Sequence, residues 1–254
     1  MNVLVLSGYG INCENETLHA FEVVGFNGKI VHINDLLQNP KQLNNYQVLA
    51  IPGGFSYGDD TGSGNAMAKK IMTNLYDQLI DFTLKNKLII GICNGCQILI
   101  NLGLVPNVNK KDPEVAMIEN KSGNYECRWV LLKVTNDKSP WLKNISTLNL
   151  PVAHQEGQFM IPQNLLKNIK TKNLIGLQYM ESNKKLAKGK FPFNPNGSKY
   201  DIAALTNQNG NVLAMMPHPE RAFYHYQIPN WQNNSSKKFA DGYKIFMNAK
   251  KFFA

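Results

Sequence analysis

Short apolar runs alternate with longer segments of helical period through the first half of the chain. Val3-Leu4-Val5-Leu6 is apolar throughout and ends at Ser7-Gly8-Tyr9-Gly10. Uniformly apolar runs of this length read as strands buried on both faces. Asn12 is a capping residue, and Leu18, Phe21 and Val24 after it share one helical face, which predicts a helix to about Val24. Further strands are expected over Lys29 to Ile33 and over Tyr46 to Ile51, the latter running into Pro52-Gly53-Gly54. Ile71, Leu75, Leu79 and Phe82 keep helical spacing within one helix from Ala66 to Leu84, and a strand over Lys87 to Ile92 follows. Strands alternating with helices indicate an α/β fold with a doubly wound, mostly parallel sheet covered on both faces.

The pattern changes in the second half. Trp129 to Val134 and Leu174 to Tyr179 read as strands, and Pro151 to Phe159 as a strand or sharp bend. Ile202 to Leu205 and Val212 to Met216, joined by Thr206-Asn207-Gln208-Asn209-Gly210-Asn211, predict a hairpin. This half is expected to be an antiparallel extension that returns its last strand to the main sheet. Lys184 to Lys199, rich in Lys, Gly and Pro, reads as a surface loop, and Phe239 to Phe253 as a closing helix. Neither repeats nor a linker composition divide the chain, so residues 1–254 are expected to form a single domain.

Composition narrows the function. Apolar content of 43% allows a large core. No stretch approaches the ~20 apolar residues of a membrane span. The chain enters its first strand with no basic region before it, which predicts no signal peptide and a cytoplasmic protein. The net charge of +9 raises the question of nucleic acid. The excess is scattered lysine, Arg128 and Arg221 are the only arginines, and no nucleic-acid motif appears. Asn and Lys richness reads as coding bias on a solvated surface.

The chemistry concentrates in Gly91-Ile92-Cys93-Asn94-Gly95-Cys96-Gln97, at the end of a strand and the start of a helix. Gly-x-Cys-x-Gly in that context is a nucleophile elbow with cysteine at its tip. Glycines on both sides permit a sharp turn, and the helix N-terminus favours a thiolate. A buried structural cysteine is the bland alternative. Cys93-x-x-Cys96 also admits a redox pair or half a zinc site, but Cys13 and Cys127 stand isolated and give no second pair, so no metal site is expected. Downstream, Pro217 and Pro219 bracket His218, which should hold it extended and let Glu220, two residues on, reach its ring. Cysteine, histidine and carboxylate are the parts of a nucleophile–base–orienter triad. Gly53-Gly54 could turn a backbone N–H toward a substrate oxygen, with the Asn94 N–H as second donor.

With spacing as well as type matched, the chain resembles the class I (triad) glutamine amidotransferases, and within them the glutaminase subunits of phosphoribosylformylglycinamidine synthases. The matching residues are Gly53-Gly54-Phe55-Ser56-Tyr57-Gly58-Asp59, the Cys93 elbow, His154-Gln155-Glu156-Gly157-Gln158-Phe159, and Met216-Pro217-His218-Pro219-Glu220-Arg221. The resemblance implies Cys93 as nucleophile, His218 as base and acid, and Glu220 as its orienter. Gly54 and Asn94 then form the oxyanion hole, and Gln97, Gly53, His154 and Glu156 lie around the glutamine substrate. It also implies a partner, an ATP-dependent synthetase subunit that holds ATP and Mg while this chain carries no cofactor, and it admits a small accessory subunit. Two rivals stay open: an amidotransferase subunit of a different synthetase, and a cysteine hydrolase of the same fold. Two departures bear on partner or substrate contacts. The segment Asp60-Thr61-Gly62-Ser63-Gly64-Asn65 lacks an arginine common in the family, and Gln158 stands where a basic residue is frequent.

Overall fold

A computed structural model describes residues 1–106, 113–234 and 236–254. Its first half contains β1 (Asn2–Ser7), α1 (Glu14–Val23), β2 (Asn27–His32), α2 (Ile33–Gln38), β3 (Val48–Ile51), α3 (Asn65–Asn74), α4 (Tyr76–Leu84), β4 (Leu88–Ile92) and α5 (Asn94–Asn101). The second contains β5 (Ala116–Ile118), β6 (Glu126–Val134), β7 (Thr147–His154), β8 (Gln158–Met160), α6 (Gln163–Thr171), β9 (Ile175–Met180), β10 (Ile202–Thr206), β11 (Val212–Met215) and α7 (Tyr243–Phe253).

Among the described residues, nine strands form one sheet in the order β2-β1-β3-β4-β11-β10-β9-β6-β7. Neighbours from β2 to β11 are parallel. The remaining pairs are antiparallel, so β10 and β6 run against the rest. This is the mostly parallel α/β sheet with its antiparallel extension, and β11 does return to the main sheet beside β4. β3, β4 and β11 are buried along their whole length, which explains their uniformly apolar sequences. Their registers, Ile51 with Gly91 and Met215 with Ile92, bring their carboxyl ends level. Ligands bind at such carboxyl ends in open α/β sheets.

Two helix expectations are corrected. The single helix over Ala66 to Leu84 is two, α3 and α4, broken at Leu75 with φ −135°. Thr73 Oγ1 and Asn74 Nδ2 donate to the carbonyls of Lys69 and Lys70, and side chains that take backbone partners in this way weaken a helix. Asn12 does not cap α1, for Cys13 occupies that position without a side-chain cap. The Asn12 and Cys13 N–H groups both donate to the Gly53 carbonyl at 3.2 Å, so tertiary contact fixes where the helix starts.

The asparagine-rich composition is not only a solvated surface. Asn94, Asn120, Asn194, Asn196, Asn207 and Asn211 are buried. Nor is the segment from Lys184 to Lys199 only a surface loop. Its lysines are exposed, but Asn196 Nδ2 donates to the Gly157 carbonyl at 2.7 Å, and Ser198 Oγ accepts from the Phe159 N–H at 2.9 Å. It braces the bend between β7 and β8.

Candidate active site

Cys93 is the hinge between β4 and α5, at φ 51° and ψ −104°. A non-glycine residue there is strained, and such strain persists only when its surroundings fix it. The surroundings here are glycines. A methyl group on Gly95 would overlap the Ile51 carbonyl, and one on Gly91 would overlap the Gly95 carbonyl. The helix therefore seats directly on β3 and β4. The Cys93 N–H donates to Met215 O at 2.8 Å, and its Sγ lies 3.5 Å from the Ala153 carbonyl.

His218 follows β11, and its N–H donates to the Pro151 carbonyl at 2.8 Å. His218 Nδ1 and Glu220 Oε1 are 2.5 Å apart, with both residues buried. The route to this contact differs from the extended one expected. Pro219 is helical (φ −69°, ψ −29°) and Glu220 opens a 3₁₀ turn, Glu220–Ala222, so the carboxylate curls back to the ring rather than lying along an extended segment. His218 Nε2 is buried with no hydrogen bond. Burial opposes charge on this imidazole, but the Glu220 carboxylate and the Cys93 sulfur outweigh it and raise the group well above the usual histidine value.

Gly53 and Gly54 play different parts. A methyl on Gly53 would stand 2.9 Å from His218 Cε1, 3.2 Å from Cys13 Sγ and 3.5 Å from Cys93 Cβ, so Gly53 is the floor on which three side chains meet. Gly54 sits at φ 150°, where a side chain would also overlap the Gly10 carbonyl. Asn94 opens α5, whose first-turn N–H groups have no acceptor within the helix.

Gly54, Cys93, Gln97, His154 and Glu156 line one cavity of about 220 Å³. Asp59 and Ser63, which the sequence did not single out, line it with them. A larger cleft of about 550 Å³ between Pro140–Ile145 and α7 is lined by no cysteine, serine, threonine or histidine. Both ends of the Gln97 amide are occupied: Nε2 donates to the Glu156 carbonyl at 2.6 Å, and Oε1 accepts from Asn94 Nδ2 at 2.9 Å. Gln97 thus positions the wall of the cavity. Ser63, inside the segment that lacks the family's arginine, donates its N–H to Glu156 Oε2 at 3.0 Å. His154 is set by Asn120, whose Nδ2 donates to two carbonyls and whose Oδ1 therefore accepts from His154 Nδ1 and the Gly157 N–H. Nδ1 then carries the proton, and Nε2 is left as a buried acceptor with no partner. Burial and the neighbouring His218 lower His154 to about 3, so it is neutral at ordinary pH.

Cys13 is not isolated. It is fully buried, and Arg221 Nη2 approaches its sulfur at 2.9 Å. No sequence signal could pair residues 208 positions apart. Cys13, His218 and Glu220 have ligand-type atoms within 4.8 Å of one another. Ligands around a tetrahedral zinc stand roughly 3.3 Å apart. The 2.5 Å contact between His218 Nδ1 and Glu220 is a hydrogen bond and leaves no room for an ion between those atoms. All four cysteines are free, and Cys96 is fully buried with its thiol pushed well up by that burial.

A strained cysteine over a helix N-terminus, beside a histidine held by a glutamate, equips the carboxyl ends of β4 and β11 for acyl transfer. The family of CobB/CobQ-like glutamine amidotransferase domains matches residues 1–253, and the chain belongs to it. Among its relatives, phosphoribosylformylglycinamidine synthase subunit PurQ of Methanococcus maripaludis is 42% identical, over 99% of this chain and 97% of that protein. The protein of the same name from Dehalococcoides mccartyi is 38% identical over the same shares. Among solved structures, a chain of PurLQS from Thermotoga maritima superposes with a TM-score of 0.75 at 29% identity, covering 100% of this chain and 99% of that one.

Proposed function

We propose that this chain is the glutamine-hydrolysing subunit of phosphoribosylformylglycinamidine synthase, acting as one domain over residues 1–254. It releases ammonia from L-glutamine. A synthetase partner uses that ammonia, with ATP and Mg²⁺, to convert formylglycinamide ribonucleotide to formylglycinamidine ribonucleotide in purine synthesis. The names of the relatives support the assignment of the reaction, and the likeness to a chain of the Thermotoga PurLQS assembly supports a synthetase partner. The observation that carries the chemistry is the strained Cys93 beside the 2.5 Å His218–Glu220 pair. The reading leaves room for a small accessory subunit and places the protein in the cytoplasm. No helix among the described residues is long and apolar enough to cross a membrane.

In this reading the Cys93 thiolate attacks the side-chain amide carbon of glutamine. Negative charge on the carbonyl oxygen is met by the Gly54 and Asn94 N–H groups, each worth on the order of 3 kcal/mol. His218 gives its proton to the departing nitrogen, ammonia leaves, and a glutamyl thioester remains. His218 then takes a proton from water, which attacks the thioester, releases glutamate and restores the thiolate. Glu220 keeps the Nδ1 proton in place throughout, so that Nε2 does the work.

The test is Cys93→Ala in the assembled complex. Synthesis from glutamine should vanish, while synthesis from ammonium chloride at high pH stays near wild type, because the acceptor and ATP sites lie on the partner. Survival of the glutamine-dependent activity would refute Cys93 as nucleophile. Loss of both activities with the complex intact would refute the division of labour.

A further inference from the structure

Cys13 and Arg221 lie beside the triad and take no part in the steps above. Cys13 is fully buried, and its backbone is tied to the Gly53 carbonyl through the Asn12 and Cys13 N–H groups. The Cys13 thiol donates to Asn12 Oδ1 at 3.3 Å, which leaves the lone pairs of the sulfur free for another donor. Arg221 Nη2 meets the sulfur at 2.9 Å. A guanidinium has donors only, so this N–H donates to the sulfur. The same guanidinium stands beside the carboxylate that orients the base. Arg221 Nε is 3.8 Å from Glu220 Oε1, too far for a hydrogen bond. Glu220 Oε2 is buried and has no hydrogen-bond partner. Left to itself, the guanidinium would not stay there. Arginine and carboxylate form strong charge-assisted pairs, often through two parallel bonds, and a buried oxygen without a partner is costly. A movement of about 1 Å would bring Nε within bonding distance of Oε1. It would then compete with His218 Nδ1, which now holds that oxygen at 2.5 Å.

We propose that Cys13 is a positioning residue, whose sulfur holds Arg221 off Glu220 and so reserves the carboxylate for His218. This rests on the glutaminase reading above and adds to it a residue that acts on the base through Arg221 and Glu220. The sulfur is well placed for this. It shares the Gly53 floor with the His218 ring, and its contact with Nη2 fixes the far end of the guanidinium while Nε is kept short of the carboxylate. A second carboxylate in its place would also hold Arg221, but it would bring another negative charge to the imidazole. The charged and titratable groups around His218 come from several elements. Glu220 and Arg221 belong to its own turn, Cys93 to the elbow, Cys13 to the start of α1, and Tyr125 and His154 to the ends of β6 and β7. Of these, Arg221 is the one that freedom of movement would turn against the base.

The test is the rate at which 6-diazo-5-oxo-norleucine, an electrophilic glutamine analogue, labels Cys93 in the assembled complex, followed by mass against time and reagent concentration. Cys13→Ala is made in the wild-type chain and in Arg221→Met, which removes the guanidinium and keeps the apolar stem. Heat denaturation checks that each variant folds. In the wild-type chain Cys13→Ala should slow the limiting rate roughly ten- to hundredfold, the range of a hydrogen bond to a charged group. The half-saturating concentration should hardly move, because Cys13 does not line the substrate cavity. In Arg221→Met the same change should cost less than about twofold, because no guanidinium is left to close on Glu220. Cys13→Ser keeps an acceptor for Nη2 and should label nearly as fast as the wild type. The alkaline limb of the labelling profile should move to lower pH in Cys13→Ala, where Glu220 is shared with Arg221. With and without Cys13→Ala, the profiles of Arg221→Met should coincide. Equal slowing in both backgrounds would mean that the sulfur only fills space, and the proposal falls. A Cys13→Ala chain as fast as the wild type overturns it as well. A wild type that is not labelled at Cys93 is a different failure and would sink the glutaminase reading itself.

Discussion

Glu220→Gln isolates the charge of the orienting residue while nearly preserving its shape. Glu220 is 2% exposed and its Oε1 lies 2.5 Å from His218 Nδ1. Water therefore cannot replace the lost partner. A buried hydrogen bond to a charged group contributes about 1.5–3 kcal/mol. The amide adds a second fault, because its NH₂ can face Nδ1 and drive the imidazole proton to Nε2. That nitrogen can then no longer take the proton from Cys93. Carboxylate-to-amide changes in triads of this kind cost up to about 10⁴ in turnover, so a loss of about 10²–10⁴ is expected here. The Michaelis constant for glutamine should move by less than about threefold, because the carboxylate does not line the substrate cavity.

The pH dependence gives an independent readout. Glu220 is first among the groups that hold His218 above the ordinary value of 6.5, ahead of Cys93 and Cys13. Without it the imidazolium deprotonates earlier, and the alkaline limb of the kcat/KM profile should move to lower pH. The stability effect has a definite sign. A histidine raised in the folded state contributes stability that is complete below 6.5 and is lost as pH rises through the folded value. The destabilisation caused by Glu220→Gln should thus be greatest near about pH 6 and shrink toward alkaline pH. Ammonia release by the assembled complex and urea unfolding across pH measure the two effects. A raised Michaelis constant with turnover intact, or an alkaline limb that does not move, would show that Glu220 acts on substrate or on nothing at all.

Two further outcomes follow from other parts of the site. Gly95→Ala, whose methyl overlaps the Ile51 carbonyl, should cost at least about 3 kcal/mol in urea unfolding; Gly123→Ala, at φ 69° with open space around it, should cost only about 1–2 kcal/mol for its backbone, and equal losses would refute the close-packed elbow. His154 is lowered to about 3, so its contribution is complete above 6.5 and is lost as pH falls. The stability advantage of wild type over His154→Gln should therefore shrink by up to about 1.4 kcal/mol per pH unit on acidification, and a pH-independent difference would argue that His154 is protonated in the fold.

What the sequence makes legible is local. The elbow can be read because an apolar run, two glycines and a cysteine are adjacent, and the glycines are needed for close approach at those very positions. The buried strands can be read because a strand covered on both faces must be apolar throughout. The break at Leu75 is hidden, since the apolar spacing continues through it and only the side-chain bonds of Thr73 and Asn74 betray it. Asn120 and Asn196 look like surface composition, although one sets the tautomer of His154 and the other props the Gly157 bend. Their polarity conceals their burial, because an asparagine with its amide fully bonded is stable inside a protein and looks no different in sequence from a solvated one. Asp59 reads as part of a motif without a role of its own, and its place in the cavity depends on contacts with Ser63 and Asn94 that only the fold supplies.

Distance along the sheet shows why the antiparallel extension is needed at all. In sheet order β7 stands four strands from β11, which in a flat sheet would be about 19 Å. His218 lies three residues beyond Met215, a reach of at most about 10 Å. Yet the His218 N–H bonds the Pro151 carbonyl within β7 at 2.8 Å. The sheet must therefore coil until its far edge closes over the carboxyl ends of β4 and β11. That coiling brings the Ala153 carbonyl to the Cys93 sulfur and places His154 and Glu156 across the cavity from the elbow. The parallel half carries Cys93 and the strand that leads to His218, but it has no wall opposite them. The antiparallel strands supply that wall, with Ala153 and His154 at the end of β7 and Glu156 in the bend after it.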